Sequence, residues 1–231
     1  MPRADLVARV AGKQALLSLI TDAVDQAVID AGQDLRIIAN VAVGYNNVDV
    51  AAARARGIVV SNTPDVLTDA TADMTWALIL AVTRRVAEGD RLIRAGGWNR
   101  WSMDFMLGTE LRGKQLGVVG FGRIGRAVAE RGRAFGMRIA FYDPHLPNGS
   151  ELAIGVERAR SLEALLQQTD TLSIHAPLTR ETRGLIGGRE LALLKSGSVL
   201  VNTARGGIVD LDGIYEQLRN DHLAAAGIDV V

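Results

Sequence analysis

From about residue 112 onward the chain repeats one pattern: a short apolar run, a glycine or turn, an amphipathic stretch, then another short apolar run. That rhythm leaves few folds open. Runs of four to six apolar residues are strand-sized, the stretches between them carry helical spacing, and strands joined through helices lie parallel in an α/β sheet. Leu116 to Gly120 (LGVVG) is expected as a buried strand. Arg123 to Phe135 is expected as a helix, with apolar residues at Ile124, Ala127, Val128, Ala134 and Phe135 and Gly136 closing it. Further strands are expected at Arg138 to Asp143, Thr171 to His175, Ser198 to Asn202 and Ala224 to Val230. The intervening helices are Leu162 to Gln168, with Ser161 as N-cap, Arg189 to Leu194 and Leu211 to Asn220.

Upstream the order is less regular. Ala15 to Ile20, Leu35 to Val43 and Ile58 to Ser61 read as strands, with a helix over Asp25 to Ala31. Pro64 then punctuates the chain. Beyond it, Ala70, Met74, Ala77, Leu78, Ala81, Val82 and Val86 have the spacing of one long helix over 69–93, ended by Gly96-Gly97. Its WALILAV centre is apolar all round, which demands burial against a sheet or a partner subunit. The domain boundary is expected near Pro64, giving residues 1–63 and 64–231, the long helix belonging to the second part.

Composition removes several functions. The 231 residues carry 26 basic and 26 acidic side chains and no cysteine. Disulfides, thiolate metal sites and cysteine nucleophiles are therefore excluded. The histidines, His145, His175 and His222, are too scattered for a metal-ligand spacing, so no metal is expected. The longest apolar run, Trp76 to Val82, falls far short of the about 20 residues of a membrane-spanning helix. Met1 to Asp5 lacks the apolar core of a signal peptide. A cytoplasmic protein with no membrane contact is expected. Arg84-Arg85 and Arg131-Gly132-Arg133 fall on helical patterns and read as solvated faces, so no nucleic-acid partner is expected.

Gly120-Phe121-Gly122-Arg123-Ile124-Gly125 matches G-x-G-x-x-G between an expected strand and an expected helix. Gly120 permits the tight turn, Gly122 lets backbone approach a pyrophosphate, and Gly125 lets helix pack on strand. The helix-start amides would face a diphosphate with the favourable end of the helix dipole. Asp143, ending the next strand, stands where an acidic residue meets the ribose 2′-hydroxyl, so NAD is expected over NADP. Ligands in such sheets gather beyond the carboxyl ends of strands. His175-Ala176-Pro177, Thr203-Ala204-Arg205-Gly206-Gly207 and Asp229 all lie there. Arg205, followed by two glycines, suits a substrate carboxylate because its guanidinium fork gives two charge-assisted hydrogen bonds.

Six segments together, VGYNNVDV, PDVLTDATADMTWALILA, GFGRIGRAVA, HAPLTRETRGLIG, LVNTARGGIVD and AAAGIDV, resemble the D-isomer-specific 2-hydroxyacid dehydrogenases. The stretch TDATADMTWALILAVTRRVAEGD with Trp98 and Trp101 is most similar to the glyoxylate/hydroxypyruvate reductase branch. The resemblance implies an α/β fold: a Rossmann-type doubly wound parallel sheet plus an incomplete flavodoxin-like substrate domain. It also implies hydride transfer from NAD(P)H to a 2-oxo acid. Arg205 would bind the carboxylate and polarise the carbonyl, with the Val43-Gly44 backbone beside it. Arg123 and Ile124 would lie on the diphosphate, and Asp143 on the adenosine ribose. Ala176, Pro177, Thr182, Thr203 and Ala204 would line the cofactor cleft, and Asp229 would hold the nicotinamide carboxamide.

In that family a histidine paired with a glutamate donates the proton, both after the AGxDV strand. Neither occurs before Val231, and the first strand and helix of the substrate domain are likewise not represented. His175 is the one strand-end histidine that could stand in, although the resemblance gives its position to the cofactor wall; His145 and His222 are weaker candidates. Two readings stay open, a glyoxylate or hydroxypyruvate reductase and a non-catalytic NAD-binding module of the same fold. A formate- or phosphite-oxidising relative is a third, against which the Gly97 to Gly108 segment speaks. Trp98, Trp101, Phe105 and Met106 beside the apolar helix read either as local core or, the preferred reading, as a homodimer contact formed through 69–93 and 97–108.

Overall fold

The computed structural model describes residues 1–149, 151–152 and 155–231. It divides into two compact units, Met1–Leu67 and Thr68–Val231. The division falls three residues after Pro64, where the first long helix begins.

The first unit runs α1 (Arg3–Val10), β1 (Ala15–Leu19), α2 (Gln26–Ala31), β2 (Ile37–Val41), α3 (Val50–Ala55) and β3 (Val59–Ser61). Its strands form a parallel sheet in the order β1-β2-β3. Asp25 and Asp49 cap α2 and α3, each carboxylate accepting a backbone N–H from the first turn. α1 and α3 were not expected: α1 holds only eight residues, and α3 is an alanine-rich turn and a half with little periodicity. The core, with Leu6, Val10, Val28, Ile29, Ile38 and Ala53, covers one face of the sheet. Leu17, Leu19, Ile37, Val41 and Val59 stand exposed on the strands.

The second unit opens with α4 (Thr68–Thr83) and α5 (Val86–Arg94). Then come β4 (Gln115–Val119), α6 (Arg123–Ala134), β5 (Arg138–Tyr142), β6 (Glu157–Arg158), α7 (Leu162–Gln168), β7 (Thr171–Ile174), α8 (Gly188–Ala192), β8 (Ser198–Asn202), α9 (Leu211–Arg219) and β9 (Leu223–Ile228). All six strands are parallel, in the order β6-β5-β4-β7-β8-β9. β4, β7 and β8 are buried at every residue, as a parallel sheet covered on both faces requires. One apolar layer joins α4 and α6 to the sheet through Trp76, Ile79, Val128, Phe121 and Phe141. The other joins α7, α8 and α9 through Leu165, Leu166, Leu191 and Ile214.

The single helix expected over 69–93 is two helices. Arg85 takes a left-handed conformation with φ 55° between them. The Thr83 carbonyl, which a continuous helix would spend on residue 87, instead accepts the Thr109 N–H at 2.8 Å. Gly108 lies so close that a Cβ there would stand 2.6 Å from the same oxygen. The returning segment thus ends α4 by taking its last free acceptor. α4 packs on α6, β8 and β9, while α5 buries no residue.

Candidate functional site

The sheet of the second unit reverses its winding between β4 and β7: β5 and β6 lie to one side, β8 and β9 to the other. Loops leaving β4 and β7 therefore diverge, opening a crevice at their carboxyl ends. At that crevice Gly120 has φ 86°, and a Cβ on it would stand 2.5 Å from the Ala176 nitrogen and 2.7 Å from the His175 carbonyl carbon. Only glycine lets the two strand exits pass each other. A Cβ on Gly125 would stand 2.3 Å from the Gly120 oxygen, so the third glycine lets α6 start directly against the loop. At Gly122 nothing lies within 4 Å. The middle glycine faces open space, where a ligand's phosphates could approach the backbone.

Gly122 is the N-cap of α6 and offers no side chain, so the first-turn amides have no side-chain acceptor there. Arg123 and Ile124 follow in that turn. Asp143, at the end of β5, accepts the Phe121 N–H on Oδ2 at 2.9 Å and the His145 N–H on Oδ1 at 2.9 Å. One carboxylate thus ties the glycine loop to the neighbouring strand and leaves lone pairs for a diol.

Beyond β7, Ala176 is buried and Pro177 exposed. Thr182 closes the following turn, its hydroxyl oxygen accepting the Thr179 N–H at 2.8 Å while its hydrogen goes to the Pro177 carbonyl. The His175 N–H donates to the Val119 carbonyl at 2.7 Å, and its Nε2 pairs with the Ser173 hydroxyl at 2.8 Å. Burial pushes the imidazole down to about 3. A shift in that direction favours the neutral imidazole, which speaks against His175 as a replacement acid.

Asn202, the fully buried last residue of β8, shapes the next loop. Its Oδ1 accepts the Ala204 N–H at 3.0 Å, its Nδ2 donates to the Arg205 carbonyl at 2.9 Å, and its carbonyl accepts the Asp229 N–H at 3.0 Å. The Arg205 guanidinium donates to the Ala204 carbonyl at 2.6 Å, and partial burial lowers its pKa. Thr203 is buried against Thr75 of α4. Asp229 follows β9 and is exposed. All the expected second-unit site residues thus gather on one edge of one sheet. Asn202 and Thr75 were not singled out from the sequence; the only signal for Asn202 is an amide closing an apolar strand.

Val43 and Gly44 lie in the first unit, just beyond the carboxyl end of β2. The Asn62 amide donates to the Val43 carbonyl at 2.8 Å and the Asn40 amide to the Gly44 carbonyl at 3.0 Å. Among the described residues no group of three or more His, Asp or Glu side chains is placed to hold a metal. No helix among them is long and apolar enough to cross a membrane.

Residues 76–231 match the family model described as D-isomer specific 2-hydroxyacid dehydrogenase, NAD binding domain. A glyoxylate reductase of Aeropyrum pernix is 50% identical over 99% of this chain and 69% of its own length. The crystal structure of a glyoxylate reductase from Paecilomyes thermophila superposes with a TM-score of 0.89 at 34% identity, covering 99% of this chain and 71% of that one. A D-lactate dehydrogenase from Aquifex aeolicus, crystallised with NAD and lactic acid, gives 0.89 at 29% identity, covering 97% and 66%. The glycine crevice, the open approach at Gly122 and the clamped Asp143 all fit that assignment. The chain belongs to the D-isomer specific 2-hydroxyacid dehydrogenases, and residues 76–231 form the NAD-binding domain of that family.

Proposed function

We propose that this protein reduces glyoxylate or hydroxypyruvate to the corresponding 2-hydroxy acid, using NADH in the cytoplasm. When bound, NADH supplies the hydride. Gly120, Gly122 and Gly125 admit the diphosphate, on which Arg123 and Ile124 close. Asp143 takes the ribose hydroxyls, and its charge repels a 2′-phosphate, which favours NADH over NADPH. Ala176, Pro177, Thr182, Thr203 and Ala204 line the cleft, and Asp229 meets the carboxamide.

The observation that carries the reading is the anchoring of Arg205. Asn202 fixes its backbone at the carboxyl end of β8, on the same sheet edge as the glycine loop. A guanidinium held there binds the substrate carboxylate with charge-assisted hydrogen bonds and draws electron density from the adjacent carbonyl oxygen, so the carbonyl carbon accepts hydride more readily. In the first unit, the Val43 and Gly44 backbone N–H groups are donors for a substrate carboxylate. The proton for the new hydroxyl does not come from His175, which is neutral and committed to Ser173.

Similarity over the whole chain to glyoxylate reductases favours this enzyme over a binding-only module. The test is NADH oxidation with glyoxylate, hydroxypyruvate and pyruvate, in wild type and Arg205→Gln. Losing charged hydrogen bonds worth about 1.5 to 3 kcal/mol should lower kcat/KM by about ten- to a hundredfold or more. NADH binding without turnover of any of the three acids would support the module instead.

A homodimer is part of the same proposal. α5 buries nothing, and Val86, Ile93, Trp98, Trp101, Met103 and Leu107 are all more than half exposed, an apolar surface that a second copy would cover. A monomer by sedimentation at micromolar concentration would refute it.

A further inference from the structure

We propose that Asn40 is a positioning residue for the substrate. At the centre of a closed amide network, it fixes the turn that presents the Val43 and Gly44 N–H groups. The proposal rests on the reading above that those groups meet the substrate carboxylate.

Asn40 lies on the middle strand β2 and is 1% exposed. A primary amide in an apolar core is costly unless its bonds are made. Here they are made on both sides. Its Oδ1 accepts from the Ser18 hydroxyl at 3.0 Å and the Asn47 amide at 3.1 Å; its Nδ2 donates to the Gly44 carbonyl at 3.0 Å and to Asn47 Oδ1 at 3.3 Å. Asn47 in turn donates to the Leu19 and Asp22 carbonyls, both at 3.0 Å. The network therefore ties β1, β2 and the turn into one piece.

The direction of the turn's amides follows from its carbonyls. The Ala42 carbonyl accepts the Thr63 N–H at 3.0 Å, the Val43 carbonyl accepts from Asn62, and the Gly44 carbonyl accepts from Asn40. In a trans peptide the N–H points opposite the carbonyl that precedes it. With the carbonyls of residues 42 and 43 held by Thr63 and Asn62, the Val43 and Gly44 N–H groups are turned away from those partners, and among the described residues neither meets an acceptor; Asn40, by holding the Gly44 carbonyl, anchors the far end of the same turn to β2. A network serving stability alone has no need of two adjacent unspent donors at its tip. One serving an anion does.

The test compares wild type with Asn40→Asp, which keeps the side chain's size and replaces the donor facing Gly44 by an oxygen, and with Ser18→Ala, which removes one donor to Asn40. Glyoxylate KM and kcat are measured at saturating NADH, and calorimetry gives the Kd of oxamate, an unreactive 2-oxo acid mimic, on the NADH-loaded protein. Asn40→Asp should raise KM and oxamate Kd by about tenfold or more, and Ser18→Ala by a few fold, with kcat and NADH Kd within about twofold of wild type. If Asn40→Asp fails to fold, Ser18→Ala decides. Unchanged KM and oxamate Kd in the folded variants overturn the proposal while leaving the active-site reading intact. A wild-type protein that binds NADH yet neither reduces glyoxylate nor binds oxamate overturns that reading, and the proposal with it.

Discussion

Thr75 on α4 and Thr203 at the end of β8 share a hydrogen bond of 2.8 Å between buried hydroxyls, across 128 residues of sequence. The Thr75 hydrogen is spent on the Thr71 carbonyl at 2.8 Å, so Thr203 is the donor of the pair. Thr75→Val keeps the shape and strands the Thr203 hydroxyl, at a cost of about 1 to 3 kcal/mol. Thermal unfolding should fall by about 2 to 10 °C in calorimetry. A melting temperature equal to wild type would show that the pair contributes nothing.

The three glycines of the loop should fail in different ways. Gly120→Ala and Gly125→Ala put a Cβ within 2.5 Å of backbone atoms, which cannot swing aside, and should yield little folded protein. Gly122→Ala has nothing within 4 Å and should melt like wild type. It should nevertheless bind NADH at least about tenfold more weakly, because the new methyl occupies the phosphates' approach. Wild-type affinity in a fluorescence titration of Gly122→Ala would place the diphosphate elsewhere.

Asp143 holds the glycine loop in the structure and is proposed to select the cofactor, and substitution can separate the two. Asp143→Asn keeps an acceptor for the glycine loop but loses the charge, so the preference for NADH over NADPH should shrink by about tenfold while the fold is kept. Asp143→Ala removes both acceptors from Phe121 and His145 and should also weaken NADH itself. Comparison of Kd for the two cofactors decides; an unchanged ratio in Asp143→Asn would remove the residue from cofactor choice.

His175 makes folding sensitive to acid. Its folded value of about 3 lies below the ordinary 6.5, so between those limits the unfolded chain binds more protons than the folded one. Stability from this group is complete above pH 6.5 and is lost as pH falls toward 3, by at most about 1.4 kcal/mol per pH unit. In urea titrations inside and above that window, His175→Gln should lose less stability on acidification than wild type. Parallel losses in the two proteins would mean that the imidazole titrates normally.

The second unit was readable because its long strands are mostly apolar and its turns carry glycine. SVLVN and LEALLQQ occupy Ser198–Asn202 and Leu162–Gln168, as their patterns require. The G-x-G-x-x-G loop lies where strand and helix spacing put it. The break at Arg85 was not readable, because the acceptor that ends α4 is taken by Thr109, a residue outside the helix's own pattern. β6 was missed for a related reason: two residues, Glu157 and Arg158, have no periodicity and become a strand only by pairing with Ala140 and Phe141. Of the candidate site residues, the charged and glycine ones carry a signal in the sequence, whereas Asn40, Asn202 and Thr75 carry almost none. Their importance lies in which carbonyls and hydroxyls they reach, and those partners sit on other elements.

The close passage of Gly120 beneath His175 and Ala176 has a thermodynamic consequence. With no room for even a methyl group and Phe121 moored to Asp143, the glycine loop is held in one shape without any ligand. On the proposed cofactor role, the entropy of ordering that loop is met during folding rather than at each encounter, which lets exchange be rapid without weak binding.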